Sequence, residues 1–258
     1  MVEIIKSELN VKGESKKIIE DTNALQIIRD EKAMDIIRDP EILTWLLIRI
    51  IKSFTAISSN RILNVIISLS SDIAVHQEII DEQTKLYKKY GEIISYEIIY
   101  EMKKLICFVK ESLLKSSPAS YMHRRAQNDI YLSNGMHLLK GSIVSLDLFS
   151  HYHKKSLDDF EYEGSSGFNQ SHSSRCRFTQ THHKIDYDDL VWGFGERRCP
   201  FSEYALAQVV TFTAVVIRKF FFYLDDKGYT SNHPGYQQIS TVIPKENSVF
   251  LERYHMCI

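Results

Sequence analysis

Trp192-Gly193-Phe194-Gly195-Glu196-Arg197-Arg198-Cys199-Pro200 is the stretch on which the reading of this sequence turns. It leads into Ala205 to Leu224, whose pattern predicts a last helix, stopped at Asp225 to Gly228. A cysteine just ahead of a helix N-terminus meets the positive end of the dipole and free N–H donors, and both favour thiolate. The glycines let backbone come close to a flat ligand, and Arg197 offers a fork for carboxylates. The competing reading is a buried cysteine in a tight turn, the ordinary fate of a lone thiol.

Working outward, Gly and Pro are unevenly spread. Residues 1–130 hold only Gly13, Gly91, Pro40 and Pro118, and the other eleven fall in 131–258. Helix is expected through about residue 118, with turns, short strands, the cysteine loop and the last helix in 119–258. Asp39-Pro40-Glu41 is a helix start: a capping carboxylate, a proline at the first helical position and an acid at the positive dipole end. Apolar residues then lie on nearly every face to about Leu69, predicting a long helix buried on most sides. Thr55, Ser58, Ser59 and Asn60 interrupt it with hydroxyls able to bond back to the helix and bend it. Ser71 to Tyr90 reads as a solvated helix, Ile93 to Leu114 as a third, and Asp129 to Leu132 and Ser142 to Leu146 as strands around Asn134-Gly135. Residues 150–190 are polar and irregular in pattern.

Composition narrows the function. There are 32 basic and 33 acidic residues, so net charge is −1, with no footprint for nucleic acid and no basic surface for anionic lipid. Cys107, Cys176, Cys199 and Cys257 make no CxxC pair and no disulfide framework, which suits a reducing compartment. No signal peptide is legible, and Ile42 to Ile51, broken by Thr44 and Arg49, is too short for a membrane span. The expectation is a chain with no anchor of its own.

The cysteine stretch resembles the heme-binding loop of the cytochrome P-450 superfamily: aromatic, two residues, Gly, one residue, Arg, one residue, Cys. Other segments resemble that family in the same order. Phe54-Thr55-Ala56-Ile57-Ser58-Ser59 sits at the oxygen-binding helix pattern. Lys110-Glu111-Ser112-Leu113 sits at the Glu-x-x-Arg helix, and Arg124-Arg125-Ala126 to Lys140-Gly141 at the segment after it. The flavour is that of fungal secondary-metabolism members. The resemblance runs from about residue 20 to the end and covers the carboxy-terminal half of the family's usual length. It implies a mainly α fold with small β-sheets, forming one partial domain over 1–258.

What the resemblance implies for the site is specific. Cys199 is the axial thiolate ligand of heme iron, Arg197 and Arg124 pair with the heme propionates, Ser59 takes the place of the oxygen-binding Thr, and Ala56 that of the small residue beside it. The implied reaction is oxidation of a small lipophilic metabolite, such as a terpenoid, by O2, with electrons from an NADPH-cytochrome reductase. In that family the enzymes sit on the cytoplasmic side of the endoplasmic reticulum. For this chain the expectation is cytoplasmic, with at most peripheral membrane contact. The departures are equally specific: Leu114 replaces the arginine of Glu-x-x-Arg, Glu161 the second arginine, Phe201 a glycine, and Ser58 an acidic or His position. Glu111 is then expected to be a buried carboxylate without its cationic partners, which is costly. The alternatives are a degenerate relative without activity, and a reductase-independent heme isomerase or dehydratase. A zinc reading rests on His151, His153, His172, His182, His183 and Cys176, whose spacings match no common closed site.

Overall fold

In a computed structural model, residues 39–117, 119–153, 187–224, 233–239, 241–245 and 248–254 are described. The chain divides into two compact units, 1–57 and 58–258, with the boundary inside the first helix.

That helix, α1 (Pro40–Ser70), starts where the sequence says it should. Asp39 Oδ1 accepts from the N–H groups of Glu41 at 2.8 Å and Ile42 at 3.3 Å, so the free donors of the first turn are satisfied. Thr55 does bond back, to the Ile51 carbonyl at 3.0 Å, yet the helix runs unbroken through it. Burial differs from expectation. Residues Asn64 to Ser70 are largely enclosed, whereas Ile42, Trp45, Ile48, Ile51 and Ile57 are exposed. Because the helix continues past Lys52, it is long and apolar enough to cross a membrane by length and composition alone, so the expectation of a chain with no anchor of its own is not borne out.

In unit 58–258 the helices α2 (Ile73–Tyr90), α3 (Tyr96–Glu101) and α4 (Lys103–Lys115) follow. Asp72 caps α2 through the Val75 N–H, and Gly91 ends it at φ 75°. The single helix expected over 93–114 is two helices, broken at Met102 (φ −78°, ψ 57°). The reason is tertiary: the Glu82 carboxylate of α2 accepts from the N–H groups of Lys104 (2.8 Å) and Leu105 (3.1 Å), giving α4 a cap that Met102 cannot supply. Burial pushes the Glu82 carboxyl above the usual range, and the two N–H donors pull it back.

Next come β1 (Tyr121–Arg125) and β4 (Ile143–Asp147), antiparallel with Tyr121 opposite Asp147 and Arg125 opposite Ile143. Between them lies the small hairpin β2 (Ile130–Tyr131) and β3 (His137–Leu138), turned at Asn134-Gly135 with Gly135 at φ 83°. β1 was not read from the sequence, since alternating pattern is weak there. α5 (Leu148–His153) follows β4 directly.

The last helix, α6 (Ser202–Ile217), is shorter than expected. Phe220 to Tyr223, taken as helix from its apolar run, is strand β5, paired antiparallel with β8 (Phe250–Arg253). Four aromatic residues in a row favour a pleated surface over a helix. Arg218 marks the turn, donating to Gln83 Oε1 at 3.1 Å and the Glu92 carbonyl at 3.3 Å. A third hairpin pairs β6 (Tyr236–Gln238) with β7 (Val242–Pro244). Val65, Ile79, Leu105, Val109, Val210 and Ile217 are among the residues of one core cluster drawn from α1, α2, α3, α4 and α6, together with Phe222 of β5. The architecture is mainly α with small antiparallel sheets. Cys107 is disulfide-bonded, a bridge that the reading of no disulfide framework did not include.

Candidate functional site

The cysteine loop is closed by its own backbone. After a 3-10 turn over Tyr187–Trp192, the Gly193 N–H donates to the Leu190 carbonyl at 2.9 Å. The chain loops through a second 3-10 turn, Gly195–Arg197, and returns so that the Cys199 N–H donates to the Trp192 carbonyl at 2.7 Å. Gly193 sits at φ 83°, and a Cβ there would lie 3.2 Å from the Arg197 carbonyl oxygen. Glycine is therefore required on two counts, left-handed backbone and close approach.

Cys199 carries a free thiol, is half-buried, and precedes α6 by three residues. Arg197 beside it is exposed. Arg124 reaches the same loop from β1: its Nη2 donates to the Phe194 carbonyl at 3.2 Å while Nη1 donates to the His123 carbonyl at 2.8 Å. Residues 75 positions apart, Arg124 and Cys199, are thus brought to one loop by a strand that sequence pattern missed.

A second tie joins α1 to α6. Ser58 is buried and its Oγ donates to Gln208 Oε1 at 2.8 Å, nine residues beyond Cys199. Gln208 went unremarked in the sequence, although a polar residue on an otherwise apolar helix is the signal that could have found it. Ser59, next to Ser58, and Ala56, one turn earlier in unit 1–57, are both exposed. From Pro200 onward one side of α6 lines an apolar groove of about 750 Å³, with Phe201, Tyr204, Gln208, Phe212 and Val215 along it and Tyr96 of α3 opposite.

Glu111 on α4 is buried, as expected, but it is not without a partner, so the expectation of an unpaired carboxylate is corrected. Leu114, also buried, packs as an apolar residue, and Glu161 lies outside the described residues. Of the zinc reading, His151 and His153 sit on α5, while His172, Cys176, His182 and His183 lie outside the described residues. Among the described residues no group of three or more His, Cys, Asp or Glu is placed to hold a metal ion.

No family model matches the chain. Over 169 residues, 64% of its length, it is 29% identical to the taxoid 7-beta-hydroxylase of Taxus cuspidata. The matched region covers 31% of that enzyme, so the chain spans about a third of the relative's length. This distant, partial likeness supports a relation to the cytochrome P-450 superfamily at most.

Proposed function

We propose that this chain is the cysteine-loop part of a heme-thiolate oxygenase acting on a small lipophilic molecule. The observation that carries the reading is the free Cys199 thiol in a glycine-closed loop to which β1 delivers Arg124. The residues present fit the group: one free thiol for iron, guanidinium groups at Arg124 and Arg197 for propionates, and apolar ground from Pro200 onward.

When bound, heme supplies activation of O2, with electrons from NADPH through a partner reductase. The protein's part is positional and electrostatic. The Cys199-to-Trp192 hydrogen bond fixes the backbone that carries the thiolate, so the ligand needs no reordering when it binds. Arg124, held by two carbonyls, presents its remaining N–H donors with little left to lose in side-chain entropy. Ser59 offers a hydroxyl that can hold a proton at Oγ, and Ala56 leaves room beside it. Ser58 is committed to Gln208 and takes no part in proton delivery. A terpenoid-like substrate and membrane association belong to the same reading, by resemblance alone.

The test is the ferrous–CO difference spectrum of the heme-loaded protein. Cys199→Ser is expected to abolish the thiolate-type Soret band, while substitutions at Cys107, Cys176 and Cys257 retain it. Persistence of that band in Cys199→Ser removes the proposed ligand. A normal band with no reductase-dependent turnover points instead to the isomerase or dehydratase alternative.

A further inference from the structure

The two hairpins formed by the carboxy-terminal strands are each held by imidazoles buried among aromatic rings. On α2, His76 is fully buried, with its ring stacked on Phe221 (centroids 4.3 Å apart) and Phe222 (5.1 Å), both of β5. Neither ring nitrogen of His76 has a hydrogen-bond partner. At the other hairpin, Tyr236 of β6 lies between His233, 4.5 Å away, and His153 of α5, 5.2 Å away. His233 Nδ1 accepts the Gly235 N–H at 3.0 Å, and its buried Nε2 has no partner. His153 stacks on Phe149 and its Nδ1 bonds the Phe149 carbonyl at 3.0 Å. Tyr236 and Val242 in turn fasten this hairpin to α1, through Ser68 Oγ at 3.3 Å and Arg61 Nη2 at 2.9 Å.

We infer that these three histidines form an acid-sensitive latch: protonation frees the β5–β8 and β6–β7 pairs from the helices, uncovering the Phe222 end of the core while the helices themselves stay formed. The physical case is burial and orphaned nitrogens. A charged imidazole needs two acceptors, and His76 has none, so protonation there leaves an unsolvated cation between two benzene rings. Among the described residues no charged group acts on His76, and burial pushes its pKa down to about 4. At the second hairpin the titratable neighbours are Lys115 of α4, Arg61 of α1 beside Tyr236, and the two histidines themselves. All are cations or become so on acidification. Burial first, then Lys115 and His153, bring His233 down to about 4, and burial lowers His153 as well, against the Phe149 and Lys115 backbone, which favours its charged form. A folded value below the ordinary 6.5 means the stabilisation is complete above that pH and is lost as pH falls toward 4. For one histidine moving from about 4 to 6.5 on release, the opening equilibrium at pH 5 is about 20-fold larger than at pH 7.

Amide hydrogen exchange of the full chain at pH 7 and pH 5, corrected for intrinsic rates, tests this. Opening across Phe220–Tyr223 and Tyr236–Pro244 is expected to rise at least tenfold at pH 5 while α4 and α6 keep their protection. His76→Phe, which keeps the aromatic stack and removes the titration, should flatten the response of β5 alone. Equal protection at both pH values, or an equal loss across hairpins and helices, overturns the latch. If His76→Phe does not fold, the wild-type exchange map still decides.

Discussion

Gly193 is the residue on which the site's geometry depends most directly. Its φ of 83° and the 3.2 Å approach of the Arg197 carbonyl leave no room for a side chain, and that carbonyl is backbone and cannot swing away. Gly193→Ala is therefore expected to cost about 2 kcal/mol in urea unfolding, against about 1 kcal/mol for Gly135→Ala, where a Cβ meets open space. Equal costs would show that backbone strain alone, and not the close approach, holds the loop. Arg124 illustrates a different dependence. Its place comes from β1, which carries it, and from the Phe194 carbonyl, 70 positions away in sequence. The resemblance assigned it to a heme propionate, and the structure brings it to the cysteine loop. The physics of its local sequence did not, because two adjacent arginines on a short exposed strand look like ordinary surface charge.

At the scale of elements, the break between α3 and α4 shows how tertiary contacts rewrite a periodic pattern. Met102, Leu105, Val109 and Leu113 continue the helical spacing across the break, so periodicity alone joins the two helices. Glu82 separates them by capping Lys104 and Leu105 from another helix, with Glu78 pairing Lys104 Nζ at 2.9 Å nearby. Glu82→Ala is expected to destabilise the protein by about 1–2 kcal/mol, with Glu82→Gln recovering part of the loss, as read from thermal or denaturant midpoints. No change on Glu82→Ala would mean that water replaces the cap. The same competition decided the carboxy-terminal end of α6. An apolar run of Phe, Phe, Phe and Tyr reads as buried helix by periodicity, although its aromatic residues lean toward strand. The choice fell to β8, which supplies the backbone partners, and to Arg218, which pins the turn on Gln83 and Glu92. The latch histidines belong here too, since His76 and Phe222 meet only because α2 packs against β5.

Over the whole molecule, the distribution of apolar surface stands out. Phe201, Tyr204, Phe212 and Val215 are all exposed along one side of α6, and Trp45 and Ile51 are exposed on α1. Contiguous patches of this kind drive association in water. The chain is expected to self-associate in dilute buffer, and Phe212→Ser with Val215→Ser to reduce the light-scattering mass several-fold. A monomeric wild type at tens of micromolar would show that the groove is effectively solvated.

The sequence alone determined the helical character of residues 40–115, the cap at Asp39, the stop at Gly91, the turn at Asn134-Gly135 and the cysteine loop with its resemblance. Each of these is written in residues close together, where capping, left-handed backbone and periodicity act over a few positions. Tertiary structure decided what depends on distant partners. It placed Arg124 on the Phe194 carbonyl and Ser58 on Gln208, split α3 from α4, turned Phe220–Tyr223 into strand, and left the early part of α1 exposed. The reason is common to all of them: an apolar or polar pattern states what a segment can bury or bond, and only the packed chain supplies the surface and the donor that meet it.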